Sequence, residues 1–506
     1  MSKSIWPKIP SKFVSSMLAG HSALGLAFAA LMYVLCISGT LLVLTDEMVR
    51  WDNPDTLAIV SATPETLAKA VDAGIAVAAE HGTNDYVVVS APSPATPYIN
   101  VRFVDFTTGF EKHYLADVNG NLVSERREGV QHFLEHLHIY LHMPRTIGLF
   151  LVGLSGVALL ASVVSGVFSH PRIFRDAFSF RRGGSRRTQE ADFHNRLSVW
   201  GLPFHLVVPL TGALLGLSTL ILGVLAMAAF DGDMERARSV VAGPSIMADD
   251  TQVDVETPIV PALTALLEEH PDATLSRIGL RRIGTEGQSL MFALSMPDDL
   301  TLTEQYTYDV RGEFVGVRGF ADGPVGAQVV AALGPLHFGW FGGWPVKVLY
   351  VALGLGLTAI ISSGVAIWAA RRDDKGRAVP RWLNAWYGLV WGQPIIYTLI
   401  AGFFLFGIHP PDVALYVVLT LLSVLPGLTT LSGLLISRLM RLCLSVLLIA
   451  LVVSHVVLWG IIPDDVIATV LNVALLATAG LLITSVRAFP FRRAEPLIQR
   501  NVAPGE

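Results

Sequence analysis

The sequence predicts a polytopic α-helical membrane protein of about eight transmembrane helices that carries two small α+β extracytoplasmic modules. Three observations predict it. The 506-residue chain is 52% hydrophobic and only 15% charged, with a mean hydropathy of +0.55, a balance that places most of it in lipid. Eight apolar stretches are long enough to cross bilayer hydrocarbon, which takes about 20 residues. Two polar segments between them have helix and strand periodicities of their own.

The stretches lie near 22-45, 147-169, 197-229, 346-370, 385-408, 412-436, 438-462 and 466-488. The first follows a short basic segment, as a secretory signal would, but it is too long and lacks an obvious small-residue cleavage site, so it reads as a retained anchor. Lys and Arg collect on one side of the predicted membrane: Lys3, Lys8 and Lys12 before the first span, Arg172, Arg175, Arg181, Arg182, Arg186 and Arg187 after the second, and Arg371, Arg372, Lys375, Arg377 and Arg381 after the fourth. Arg438 and Arg441 follow the sixth span, and Arg487, Arg492 and Arg493 the eighth. The positive-inside rule then puts both termini of this chain, embedded in membrane lipid, in the cytoplasm. The expected division is 1-45 (N-terminal segment and first span), 46-145 (first module), 146-229 (second span, basic loop and third span), 230-345 (second module), 346-372 (fourth span) and 373-506 (a four-helix block). Cys36 and Cys443 both fall inside spans, so no disulfide framework supports the outer segments.

The modules share one plan. In the first, a helical pattern from Pro64 to Glu80 precedes strand-like Tyr86 to Ser90, Tyr98 to Phe103 and Lys112 to Ala116, closed by the turn Asp117-Val118-Asn119-Gly120. In the second, a helix from Val260 to Glu269 precedes Leu275 to Leu280, Ser289 to Ser295 and Gln305 to Asp309, with Asp309-Val310-Arg311-Gly312 as its turn. Both segments are more acidic than basic, an asymmetry that the net charge of −5 hides. Nothing in that balance suits nucleic acid.

The duplication extends into the spans. HSALGLAFAALMYVLCISGTLL and HLHIYLHMPRTIGLFLVGLSGVALLASVVSGVF in the first half answer DFHNRLSVWGLPFHLVVPLTGALLGL and PLHFGWFGGWPVKVLYVALGLGLTAIISSGVAIW in the second. His21 and His194 open their apolar runs, while His138 and His337 lie just before theirs. Ser38-Gly39, Thr211-Gly212, Ser165-Gly166 and Ser363-Gly364 recur at matching places and permit close approach of a helix or a flat ligand. One such histidine alone reads equally as an interfacial polar residue. Four at duplicated positions read as two metal centres stacked across a membrane.

These strings resemble the PepSY-associated transmembrane helix family, which includes iron-regulated membrane proteins and haem-containing ferrisiderophore reductases; the resemblance covers residues 20 to 372. It implies a four-helix membrane unit with PepSY-like periplasmic modules in a bacterial cytoplasmic (inner) membrane, b-type haem, and electron flow toward the periplasm. Neutral imidazole is a common axial ligand of haem iron, so His21 with His194 and His138 with His337 are the expected ligand pairs. His142, four residues after His138 and able to share its helical face, is the first substitute. His205, beyond His194 in the same run, is a sixth candidate, since a histidine deep in a membrane suggests a partner or a function. Arg145 reads as a propionate partner or an interfacial anchor, and the aromatic residues around Trp340 and Trp344 as an interfacial belt or the border of the outer centre.

No dinucleotide fingerprint, P-loop, Cys-based cluster or zinc spacing is found. The expected electron donor is therefore a membrane quinol or a separate cytosolic flavoprotein, and the expected substrate a ferric-siderophore complex. The alternative class is a haem-free membrane sensor or scaffold whose modules bind a periplasmic peptide or protein. In the last four spans, Trp391-Gly392-Gln393-Pro394 is the least ordinary string.

Overall fold

The structure is a computed structural model that describes residues 10–56, 58–178, 186–234, 236–238, 246–296, 304–318, 325–377, 382–409, 412–429, 431–460 and 465–488. The basic residues Lys3, Lys8, Arg181, Arg182, Arg381, Arg492 and Arg493 lie outside them. The chain divides into two units, Met1–Val379 and Pro380–Glu506.

In the first unit, helices α1 (Ser11–Ala27), α2 (Ala29–Leu42) and α3 (Thr45–Asp52) lead into α4 (Pro64–Glu80). Thr63 caps α4 by accepting from the Thr66 N–H, and Pro64 follows where the first turn needs no donor. Strands β1 (Tyr86–Ser90), β2 (Ile99–Val104), β3 (Glu111–Ala116) and β4 (Leu122–Glu125) come next, then α5 (Val130–Tyr140), α6 (Arg145–Ser169) and α7 (Ile173–Ala177). The second half opens with α8 (Arg186–Trp200), α9 (Leu202–Gly216) and α10 (Ser218–Ala229). It continues with α11 (Ile259–Glu269), β5 (Thr274–Arg281), β6 (Ser289–Ser295), β7 (Glu304–Tyr308), β8 (Phe314–Arg318), α12 (Val325–Phe338) and α13 (Gly343–Asp373).

The two expected modules are halves of one antiparallel sheet, in the order β4-β3-β2-β1-β5-β6-β7-β8. Their first strands pair, Tyr86 opposite Arg281 and Ser90 opposite Arg277. Each half alone would leave β1 or β5 as an open edge of unpaired N–H and C=O groups; joining them satisfies both. Val89 and Ile278, opposite each other at the junction, are fully buried. Alternate residues of every central strand feed one core, with Val101, Leu280, Leu290 and Phe292 meeting Leu67 and Val71 of α4 and Leu263 and Leu266 of α11. The turns form as read: Asp117 Oδ1 accepts from the N–H groups of Asn119 and Asn121, and Asp309 Oδ1 from those of Arg311 and Glu313.

Below the sheet the repeats match helix for helix. α1 packs on α6 and α8 on α13; α2 packs on α13 and α9 on α6; α5 sits on α2 and α12 on α9. The sheet order is a palindrome about β1 and β5, so the two halves are related by an approximate twofold.

Two of the eight expected spans are bent. Among the described residues five helices are long and apolar enough to cross a membrane, or seven when each bent pair counts as one span. The stretch 22-45 bends by 70° between α1 and α2 at Phe28, and the third expected span bends by 71° between α8 and α9 at Gly201. Pro203, the second residue of α9, has no N–H to continue the previous helix, and a further break at Leu217 separates α10. The protein is thus a membrane-associated helical protein with a separate antiparallel sheet.

In the second unit, α14 (Trp382–Leu405), α15 (Asp412–Val424), α16 (Gly433–Trp459) and α17 (Val466–Ala488) follow in turn. The expected span 412-436 stops early: Pro426 and Gly427 turn the chain through a short 3-10 segment, Leu425–Leu428, and Gly433 already opens the next helix. Gln393 is wholly buried, and its Oε1 accepts from the hydroxyls of Tyr397 and Tyr416 at 3.0 and 2.9 Å. That string therefore contains the anchor of an internal polar cluster.

Candidate cofactor-binding site

The four duplicated histidines come together as two pairs. His21 on α1 faces His194 on α8 with ring centroids 6.2 Å apart and ring planes at 80°. His138 on α5 faces His337 on α12 at 6.3 Å and 34°. Each pair joins equivalent residues of the two halves, so both pairs lie on the approximate twofold. His21 and His194 precede the bends at Phe28 and Gly201 by the same number of residues.

One local device holds all four rings. The Nδ1 of His21 lies 2.8 Å from the Ser162 carbonyl oxygen, that of His194 3.0 Å from Ile360 O, that of His138 2.9 Å from Leu35 O, and that of His337 3.1 Å from Val208 O. In every case that carbonyl stands one helical turn before a glycine: Gly166, Gly364, Gly39 and Gly212 in the same order. With no Cβ on the glycine, the ring can reach a carbonyl already engaged in the helix. At Gly39 a Cβ would lie 2.5 Å from His138 Cε1, and at Gly212 2.8 Å from His337 Cε1. The Ser-Gly and Thr-Gly pairs therefore admit an imidazole, a third occupant beside the helix or flat ligand expected for them.

A carbonyl only accepts, so Nδ1 carries the proton and Nε2 keeps a lone pair. The hydroxyls beside these rings agree. Thr211 Oγ1 donates to Val207 O at 2.7 Å and so accepts from His337 Nδ1 at 3.0 Å; Ser363 Oγ donates to Ile360 O and accepts from His194 Nδ1 at 3.0 Å. Ser38 does the same for His138 at 3.3 Å after donating to Val34 O. Fixing one ring nitrogen on a backbone oxygen orients the other for a metal. Two metal–nitrogen bonds of about 2 Å, each followed by roughly 1 Å to the ring centre, span about 6 Å, which matches both centroid separations. Among the described residues no three His, Cys, Asp or Glu side chains gather as a metal ion would need.

Around His138 and His337 lies a cavity of about 610 Å³, lined largely by apolar and aromatic side chains that include Met32, Leu149, Phe204 and Leu357, with Asp46 and Glu135 among its polar groups. That size falls in the range of cofactor pockets. Trp340 and Phe338 border it, stacked at 4.4 Å, and Phe338 meets His337 edge-on. Burial raises the Glu135 carboxyl above its ordinary range.

The family described as the PepSY-associated TM region matches residues 18–371. The chain belongs to that family. All four paired histidines and their glycines fall inside the matched PepSY-associated region. A relative in Pseudomonas aeruginosa (strain PAO1), described as an uncharacterized protein, is 29% identical over 264 residues, which cover 49% of this chain and 65% of that protein.

Two candidates of this PepSY-associated protein stand apart from the pairs. His142 does not share a helical face with His138, because Leu141 and His142 both take positive φ (55° and 52°) and end α5. Its ring turns back against Phe133 and His136. His205 is buried over Gly201 at the α8–α9 bend, where the first half has Met32. Arg145 lies over the Tyr140 ring at 5.5 Å. The carbonyls of Leu35, Ser162, Val208 and Ile360 carry no side-chain signal; their place one turn before each duplicated glycine was the only sign available.

Proposed function

We propose that this PepSY-associated protein is a haem-containing transmembrane electron conduit that reduces ferric iron, carried as a ferric siderophore, at the periplasmic face in iron acquisition. The observation that supports the reading is the double pairing of His21 with His194 and His138 with His337, each with Nδ1 committed to a backbone carbonyl. A b-type haem in each pair supplies one-electron chemistry when bound. His21 with His194 and His138 with His337 would hold the two groups through neutral imidazoles, and the apolar walls of the cavity around His138 and His337 would exclude water. Electrons come from a quinol or a cytosolic flavoprotein. The ferric chelate gains one electron, and the ferrous ion, more weakly bound, leaves it.

A reduced-minus-oxidised visible spectrum with pyridine haemochrome quantification tests this. The wild-type protein is expected to hold two haems per chain, and His138→Ala or His337→Ala to lose the outer one together with chelate reduction. A colourless protein after expression with ample haem would refute the proposal and return the chain to a haem-free sensor or scaffold. Normal reduction in both variants would defeat it equally.

A further inference from the structure

The sheet face opposite α4 and α11 is built differently in its two halves. In the first half Val49 of α3 joins Tyr98 and Leu115 in one buried cluster, and Arg102 on β2 is paired with Glu111 at 3.3 Å. A hydrogen bond from His113 and then Arg102 pull the Glu111 carboxyl down to about 2, against the effect of burial. Arg102 thus has its own counter-ion.

In the second half the register sets Arg277, Ala293, Gln305 and Arg318 side by side across β5, β6, β7 and β8. Arg318 stands as far past its Asp-x-x-Gly turn as Arg126 does in the first half, but no carboxylate of a described residue lies in this row. Glu304 points to the other face, where it accepts from the Tyr306 hydroxyl. Arg277 is exposed and makes no hydrogen bond or ion pair with a described residue. Burial first, and Arg277 second, disfavour the charge on Arg318. A third arginine on this face, Arg281, is occupied over the Phe106 ring at 5.3 Å.

Between these groups lies a groove of about 100 Å³ lined by Tyr86, Arg277, Gly279, Met291, Ala293 and Gln305. Its floor is low because Gly279 and Ala293 are small; a Cβ at Gly279 would stand 3.2 Å from the Tyr86 hydroxyl. The volume admits one carboxylate-sized group. The guanidinium of Arg277, the amide of Gln305 and the Tyr86 hydroxyl are donors for its oxygens, and guanidinium matches a carboxylate in shape as well as charge.

We propose that this groove is an oxyanion subsite that anchors a carboxylate of an anionic ferric chelate, the rest of the chelate remaining outside. The assignment rests on the reading of the protein as a ferric-chelate reductase, and it narrows the substrate to chelates bearing a free acidic group. A carboxylate in the groove supplies Arg277 with the counter-ion that Glu111 supplies to Arg102 in the first half.

The test uses gallium(III) citrate, which no electron donor in the membrane reduces, so that binding is read whether or not the protein holds haem. Isothermal titration of the detergent-purified full chain compares it with a neutral gallium(III) trihydroxamate. Tighter binding of the citrate complex is expected, weakening with salt. Arg277→Gln should lower it at least tenfold without changing the neutral complex; Arg277 is exposed, and an unchanged melting temperature confirms that the variant folds. Unaltered affinity in Arg277→Gln, or equal binding of the two gallium complexes by the wild type, would overturn the subsite. Metal-free citrate and inorganic phosphate run in parallel. Weaker binding of both supports a chelate as the source of the carboxylate, and equal binding overturns that assignment.

Discussion

Gly39→Ala is the sharpest perturbation of the outer centre. The new methyl would lie 2.5 Å from His138 Cε1, 3.0 Å from Nδ1 and 3.1 Å from Nε2. Carbon atoms settle at about 3.5–4.0 Å, so the ring must withdraw by about 1 Å. That takes Nδ1, now 2.9 Å from Leu35 O, past the limit of a useful hydrogen bond. Overpacking a tight site costs about 1–3 kcal/mol and a lost hydrogen bond about 0.5–1.5 kcal/mol. Together they should weaken the haem proposed for this site by about 1.5–4.5 kcal/mol, or about tenfold to about two-thousandfold. Gly364→Ala is the internal control, because its Cβ would meet His194 at an ordinary 3.5 Å and should cost less than about tenfold. Haem stoichiometry by pyridine haemochrome, followed by competition with apomyoglobin, measures both. Full retention of the outer haem in Gly39→Ala, or equal losses in the two variants, would refute the idea that these glycines exist to admit the imidazoles.

The ring planes make a spectroscopic prediction: at 80° the inner centre should give the more anisotropic low-spin EPR signal, with the larger maximum g, and at 34° the outer centre the less anisotropic one. His21→Ala should remove the first and His138→Ala the second; identical signals would count against the pairing. Lys347 binds Asp46 at 3.1 Å and the buried Glu47 at 2.8 Å, so Lys347→Met should destabilise the fold by about 3–5 kcal/mol. Adding Glu47→Gln should recover part of that loss in thermal unfolding, and no recovery would mean the ion pair is not its cause. Burial pushes the Asp52 carboxyl up to about 8, with Arg126 and Arg127 pulling the other way. Because its folded pKa is above the unfolded value of about 3.9, its contribution to stability is greatest below pH 4 and is lost as pH rises toward 8. Asp52→Asn should flatten the fall in melting temperature between pH 5 and 8, and parallel curves for variant and wild type would contradict the assignment.

Much of the sheet was legible because strand periodicity and Asp-initiated turns act within a few residues. Tyr86–Ser90 and Ser289–Ser295 form as read, and so does the helix Pro64–Glu80. The strands β4 and β8 were not read, since Leu122–Glu125 and Phe314–Arg318 are short and largely exposed, and are held by the hairpin partner more than by their own pattern. The bends at Phe28 and Gly201 were missed because apolar composition continues through both, and hydropathy does not register direction.

The sequence by itself determined the membrane character, the duplication and the four histidines, because each is written in composition or in spacing along the chain. It also placed a glycine after each small hydroxyl residue. Only the tertiary structure decided that the two modules are one sheet, that each imidazole lies on the glycine of another helix, and that His142 and His205 stand outside the pairs. Those outcomes depend on contacts between segments a hundred or more residues apart, such as His138 with Leu35 and His194 with Ile360, and on the backbone turning at Leu141. The twofold brings such segments together, and no local pattern of residues states where its axis will run.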